Sequence, residues 1–165
     1  MMIRYATLGT SRVLYGLLGL AIVGSVQGMA QSTDIERGRY LVKIGGCNDC
    51  HTPGYLTTAG KVPEENWLVG DAIGFSGPWG TTYPSNLRGL LAKMTEDEWV
   101  GYARSLQTRP PMPWFNLQAF AEDDLRAMHR YIRSLPKDNR SVPDFVPPGQ
   151  RPSTPHIVMV PQAPG

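Results

Sequence analysis

The sequence predicts an all-α fold of three main helices joined by long irregular connections, and three stretches carry that prediction. Between Ile35 and Ile44, Ile35, Gly38, Leu41 or Val42, and Gly45 recur at three- and four-residue intervals. Thr95-Glu96-Asp97-Glu98 is a capping-box sequence, and Leu125, Met128, Ile132 and Leu135 share one face after the acidic run Glu122-Asp123-Asp124. Intervals of three and four are those of a helix with one buried stripe, whereas half-buried strands alternate every second residue.

In chain order, the first thirty residues differ from the rest. Arg4 and Arg12 are their only charges, an apolar run from Val13 to Val26 follows, and Gly28 and Ala30 supply a small-x-small ending. That pattern describes a secretory signal peptide, residues 1–30, cut after Ala30. The apolar run is shorter than the roughly 20 residues that cross a bilayer, so a retained anchor is the lesser reading. The first helix then runs from about Ile35 to Ile44, with Asp34 as its cap and Glu36 where the helix dipole favours an acid. Gly38 costs about 1 kcal/mol against alanine in a helix interior, and is understandable if another helix crosses closely there. Gly45-Gly46 ends the helix.

From Thr52 to Met94, glycines and prolines interrupt every candidate element. So long an irregular stretch is reasonable in a small domain only if it wraps a large apolar cofactor. The second helix should run from the capping box to about Leu106, with Met94 and Trp99 as its hydrophobic staple. A proline-rich turn, residues 109–114, leads on to the last helix, which Pro136 stops. The domain is thus 31–136. Residues 137–165 form a proline-rich tail, eight prolines falling between 136 and 165, read as an extended or disordered strap without a core of its own.

Charge excludes some partners. Fourteen acidic and fourteen basic residues lie beyond position 30 and cancel, so the net +2 of the 165-residue chain belongs to its start. No basic run suggests nucleic acid. A membrane is implied only if the first segment is retained; otherwise the protein is expected to be periplasmic or otherwise exported.

Cys47-Asn48-Asp49-Cys50-His51 carries the chemistry. Cys-x-x-Cys-His is the attachment sequence of c-type haem. On one helical turn, two intervening residues let both sulfurs reach the two vinyl groups on one porphyrin edge, and the adjacent histidine comes under the iron. A thioredoxin-like dithiol would need a preceding strand. A zinc site would need four ligands, with only His129 and His156 left to complete it. One covalent haem c is the expectation, which leaves no thiol for a disulfide.

Methionine sulfur is soft, and with histidine it raises the haem potential. Met94 has its staple role, Met128 lies on the core stripe and Met159 is in the tail. Met112 alone stands in a loop between helices, stiffened by Pro111 and Pro113. It is therefore the expected sixth ligand opposite His51, ahead of His129 on the edge of the last helix and His156 in the tail. His51 should donate its second ring N–H to a backbone carbonyl of a following loop. Trp67, Trp79, Tyr83, Asn86 and Arg88 are candidates for the haem propionates, though ordinary packing explains each as well.

These residues resemble the class I, mitochondrial-type, c-type cytochrome domain, closest to the bacterial branch that includes haem domains of alcohol dehydrogenase cytochrome subunits. The resemblance covers roughly 34–136 and rests on residues 36–42, 45–53, 83–87, 111–113 and 124–136. It implies a small fold of three helices around one covalently bound haem, the first and last crossing near Gly38, with Met112 as distal ligand. Two departures stand out: one haem motif where such subunits usually carry several, and the added tail.

The expected function is therefore electron transfer, one electron at a time, between redox protein partners such as a dehydrogenase or a terminal oxidase. Iron saturated by His51 and Met112 binds no substrate, so the chain is not expected to be an enzyme, though it can be a subunit of one. An apolar rim near Pro110, Pro111 and Trp114 is the candidate contact. The alternatives are a haem enzyme or gas sensor with an open or displaceable sixth position, and a thiol–disulfide protein.

Overall fold

The computed structural model describes residues 33–161 and 163–164; the expected signal segment, 1–30, lies outside the described residues. Residues 34–165 form one compact unit. Helix α1 covers residues 33–44, followed by α2 (Cys47–His51), a 3-10 turn (Glu64–Asn66), strands β1 (Gly74–Gly77) and β2 (Gly80–Thr82), α3 (Leu87–Leu91), α4 (Glu96–Ser105), α5 (Trp114–Ala119), α6 (Glu122–Ser134) and β3 (His156–Val158).

The three long helices α1, α4 and α6 are those that the two apolar stripes and the capping box predicted. Gly38 is where α1 meets α6: a methyl group built on it would lie 2.0 Å from Ala127 O and 2.7 Å from Tyr131 Cβ. Only a residue without Cβ permits that approach. Helix α4 begins with the expected capping box, Thr95 Oγ1 accepting from Glu98 N–H at 3.2 Å while Glu98 Oε2 accepts from Thr95 N–H at 2.7 Å. It packs on α6, and Trp99 Nε1 donates to Leu125 O across the joint at 2.9 Å. Leu41, Val42, Leu91, Trp99, Ala103, Leu125, Met128, Tyr131 and Ile132 form the shared core.

Ion pairs line the outside of this frame: Arg37 with Asp124, Arg126 with Asp97, and Arg130 with both Glu96 and Asp34. Exposed pairs contribute about 0–1 kcal/mol each. A fully buried Leu, Ile or Met contributes about 1.5–3 kcal/mol, so the apolar seam fixes the helices and the charges trim its edge.

The fold is not all-α as expected. A three-stranded sheet of order β2-β1-β3 takes its first two strands from the segment read as irregular. Strands β1 and β2 form an antiparallel hairpin around Pro78-Trp79, with Phe75 opposite Thr82. Ser76 Oγ and Thr81 Oγ1 lie 2.7 Å apart across it. Glycines at 74, 77 and 80 remove the side chains that would have shown a two-residue alternation, so no strand pattern survives in the sequence. The third strand comes from the tail, paired parallel to β1 with Phe75 opposite Ile157. Of the two states read for the tail, it takes the extended one.

Two short helices, α3 and α5, were also not expected. Asn86 caps α3, its side chain accepting from Gly89 N–H at 2.9 Å. Helix α5 follows Pro113, which lacks the N–H a helix start leaves unpaired.

Candidate functional site

Gly46, in the left-handed region at φ 71°, turns the chain from α1 into α2. That single helical turn sets Cys47, Cys50 and His51 on the wall of one cavity while its other side buries Asn48 in the protein. Both cysteines are free thiols. Burial pushes the Cys47 thiol up to about 12, and burial followed by Asp49 and Asp71 raises that of Cys50. A reactive dithiol needs a lowered thiol pKa, so the redox-dithiol reading finds the opposite environment. Among the described residues no three His, Cys, Asp or Glu side chains converge as metal ligands, which leaves the zinc reading without its donors.

His51 is 8 % exposed, and its Nδ1 lies 2.7 Å from Ser85 O. A carbonyl only accepts, so Nδ1 carries the proton and the Nε2 lone pair is left for an electrophile. Burial lowers the imidazole pKa while the bond to Ser85 works against it, and the neutral form is the one that ligates a metal. The predicted orienting carbonyl is thus identified as that of Ser85.

A buried network holds that carbonyl in place. Thr52 Oγ1 donates to Asn48 Oδ1 at 2.8 Å and accepts from Leu68 N–H at 2.8 Å. Gly70 N–H donates to His51 O at 2.9 Å, and Asp71 N–H to Pro84 O at 3.2 Å. Leu68 O in turn receives Leu87 N–H at 3.0 Å. Gly70 has φ 80° and is wedged so closely that a Cβ would stand 2.8 Å from Asn86 N. Through these bonds α2, residues 68–71 and residues 84–87 form three tied layers.

Met112 lines the same cavity between Pro111 and Pro113, its carbonyl accepting from Trp114 N–H at 2.9 Å. Trp99, Met128 and Ile132 of the helical frame, Leu87 and Leu90 of α3, and Phe75 of the sheet complete an apolar lining that contains no Asp, Glu, Lys or Arg. Cys47, Cys50, His51 and Met112 are therefore brought together.

The rival ligands are not. His129, read as lying on the edge of the last helix, is buried; its Nε2 donates to Met94 O at 3.0 Å, and it does not line the cavity. His156 is exposed on β3. Four of the five propionate candidates are also outside the lining. Trp67 Nε1 donates to Val62 O, Asn86 caps α3, Arg88 bonds Pro136 O and Glu64 O, and Trp79 Nε1 is buried without a partner. Tyr83 does line the cavity, with its hydroxyl 2.8 Å from Thr154 Oγ1. Sequence reasoning missed Phe75, Leu87, Leu90, Asn116 and Phe120 as lining residues, since no motif marks a side chain that faces a cavity from a short element.

With this geometry in hand, the chain proves similar to cytochrome c subunits of dehydrogenases, which supports a cytochrome c-like domain. It is 32 % identical over 114 residues to the gluconate 2-dehydrogenase cytochrome c subunit of Pantoea cypripedii, covering 61 % of this chain and 26 % of that one. Against the cytochrome c subunit of the quinone alcohol dehydrogenase of Gluconobacter oxydans it is 26 % identical over 126 residues, 62 % of this chain and 24 % of the relative. The chain thus spans about a quarter of the length of these curated relatives. No family model and no solved structure matches.

Proposed function

We propose that the chain is a single-haem c-type cytochrome that carries one electron at a time between redox partners, within or beside a dehydrogenase complex. The observation that carries the reading is the pairing of His51 Nδ1 with Ser85 O, which fixes the tautomer a haem ligand requires beside two free thiols on the same turn. The residues fit the group: neutral thiols at Cys47 and Cys50 for two thioethers, an Nε2 lone pair, an uncharged apolar lining, and a soft sulfur at Met112. Bound there, haem supplies a one-electron couple. The protein's share is to hold His51 in one orientation, keep Met112 at hand in a stiff loop, and exclude water with the lining. Haem held by His51 and Met112 would have no position on its iron left for a substrate, so in this reading the chain would carry electrons rather than act as an enzyme itself.

The docking rim in this reading is Pro110, Pro111 and Trp114; Trp114 is half-buried, and its ring meets that of Phe115, which is 59 % exposed, edge to face at 5.8 Å. An apolar, uncharged rim suits the small, short-lived interfaces of redox encounters. Export by the signal segment, 1–30, places the protein in the periplasm in this reading, and no helix among the described residues is long and apolar enough to cross a membrane.

Visible spectra of the purified protein, oxidised, reduced with dithionite and then exposed to carbon monoxide, test the ligand pair. A low-spin c-type spectrum indifferent to carbon monoxide is expected. Met112→Ala should open the iron to carbon monoxide and lower the midpoint potential. An unchanged spectrum in that variant would remove Met112 from the iron, and rapid binding by the unaltered protein would favour the enzyme or sensor instead.

A further inference from the structure

The tail beyond Pro136 does not simply cover the surface; its anchors fall around the site. Asn86 Nδ2 donates to Asp138 Oδ1 at 2.7 Å and to Arg140 O at 3.1 Å, joining the tail to the cap of α3. Thr81 and Val146 exchange two backbone hydrogen bonds, at 2.8 and 3.0 Å. Tyr83 and Thr154 pair through their hydroxyls at 2.8 Å. These three attachments stand on either side of Ser85, whose carbonyl holds His51.

A second set reaches the other side of the cavity. The Arg109 guanidinium lies 3.6 Å above the ring centre of Phe145, three residues before Met112, and Thr82 Oγ1 donates to Pro110 O at 3.0 Å. Phe145 and Val146 are neighbours, so one short piece of tail touches both the hairpin that leads to Ser85 and the chain that leads to Met112. Ser85 and Met112 themselves lie outside the helices and strands, and segments without regular structure open first.

We propose that the tail is a brace for both axial-ligand loops, with Phe145 and Val146 as positioning residues that act through Arg109 on Met112 and through Thr81 on the chain that leads to the Ser85 carbonyl. This rests on the ligand pair proposed above. A sulfur held to iron weakly is retained only as long as its loop stays in place, so freeing the loop exposes the sixth position without touching a ligand. The tail then governs the potential and the closure of the site rather than the stability of the helical frame alone.

The experiment uses the full-length haem-loaded protein and three variants, Phe145→Ala, Phe145→Tyr and Val146→Pro, the last removing the N–H that Thr81 O accepts. Carbon monoxide binding to the reduced protein, midpoint potential, limited proteolysis of the tail and far-ultraviolet circular dichroism are measured on each. Phe145→Ala and Val146→Pro should bind carbon monoxide at least about tenfold faster than the parent and show a lower potential with helical signal unchanged, each tenfold being about 1.4 kcal/mol. Phe145→Tyr keeps the ring under Arg109 and should match the parent. If proteolysis shows the tail released in Phe145→Ala while carbon monoxide binding and potential match the parent, the brace is overturned and the ligand pair stands. An unaltered protein that takes up carbon monoxide at once overturns both. Phe145→Ala carries the decision if Val146→Pro misfolds.

Discussion

The helical frame of α1, α4 and α6 and the loop half that holds the cavity are built by different means. In the frame, long periodic stripes meet over a wide apolar seam, closed where Gly38 lets α1 touch Ala127 and Tyr131. In the loop half, single hydrogen bonds between backbone groups and short side chains decide the arrangement: Ser85 on His51, Gly70 on His51, Thr52 on Leu68. The frame can lose a charge at its rim and keep its shape, since the seam holds it. The loop half has little seam of its own, so one lost buried bond changes where a ligand points. Chemistry placed on loops over a rigid scaffold gains precise, adjustable positions at the cost of depending on each contact.

The sharpest way to break the frame is at its crossing. Gly38→Val should destabilise the haem-loaded protein by about 3 kcal/mol, since overpacking usually costs about 1–3 kcal/mol and here the obstacle is the backbone carbonyl of Ala127 rather than a yielding side chain. Gly101→Ala is the contrast: nothing lies within 4 Å of a Cβ there, and alanine in a helix interior should stabilise by about 0.5–1 kcal/mol. Denaturant midpoints at unchanged slope check both. A Gly38→Val protein at least as stable as the parent would mean that helix propensity, not the crossing, governs position 38.

On the loop side, Thr52→Val removes one hydroxyl of nearly the same volume. It leaves Leu68 N–H and the fully buried Asn48 side chain without partners, which should cost about 2 kcal/mol. Thr52→Ser should restore most of it. A Thr52→Val protein as stable as the parent would show that residues 68–71 are held by Gly70 and the neighbouring backbone bonds alone.

That contrast also explains what was legible beforehand. The capping box, the stripe of α6 and the demand for glycine at 38 are local patterns with a period, and each was readable from a few residues. Cys47, Cys50 and His51 were readable because thioether attachment fixes their spacing. The Ser85 acceptor was not, because any residue's carbonyl serves and the sequence marks none. Strands β1 and β2 were hidden by their glycines, and β3 by lying about 80 residues away from the strand it pairs with, beyond the reach of any local pattern. His129 was misplaced for the same reason: its burial depends on Met94, which the chain brings up from a different helix start.

The smallest expected effect lies at the rim of the frame. Glu96 is held below its ordinary value of 4.5, first by hydrogen bonds from Arg130 and further by the charges of Arg130, His129 and Arg126, against the opposing effect of burial. A carboxyl depressed in the folded state contributes stability that is present above its unfolded value and lost as pH falls through its folded one. Glu96→Gln should therefore cost under about 1 kcal/mol at pH 7, as expected of a partly exposed pair. The gap between parent and variant should close as pH is lowered below 4.5, and it should narrow in high salt, which screens exposed charges. Unfolding curves across that range decide it. A gap that stays constant down to low pH would mean that Glu96 holds Arg130 by shape rather than by charge, and the frame would then owe still less to its ion pairs.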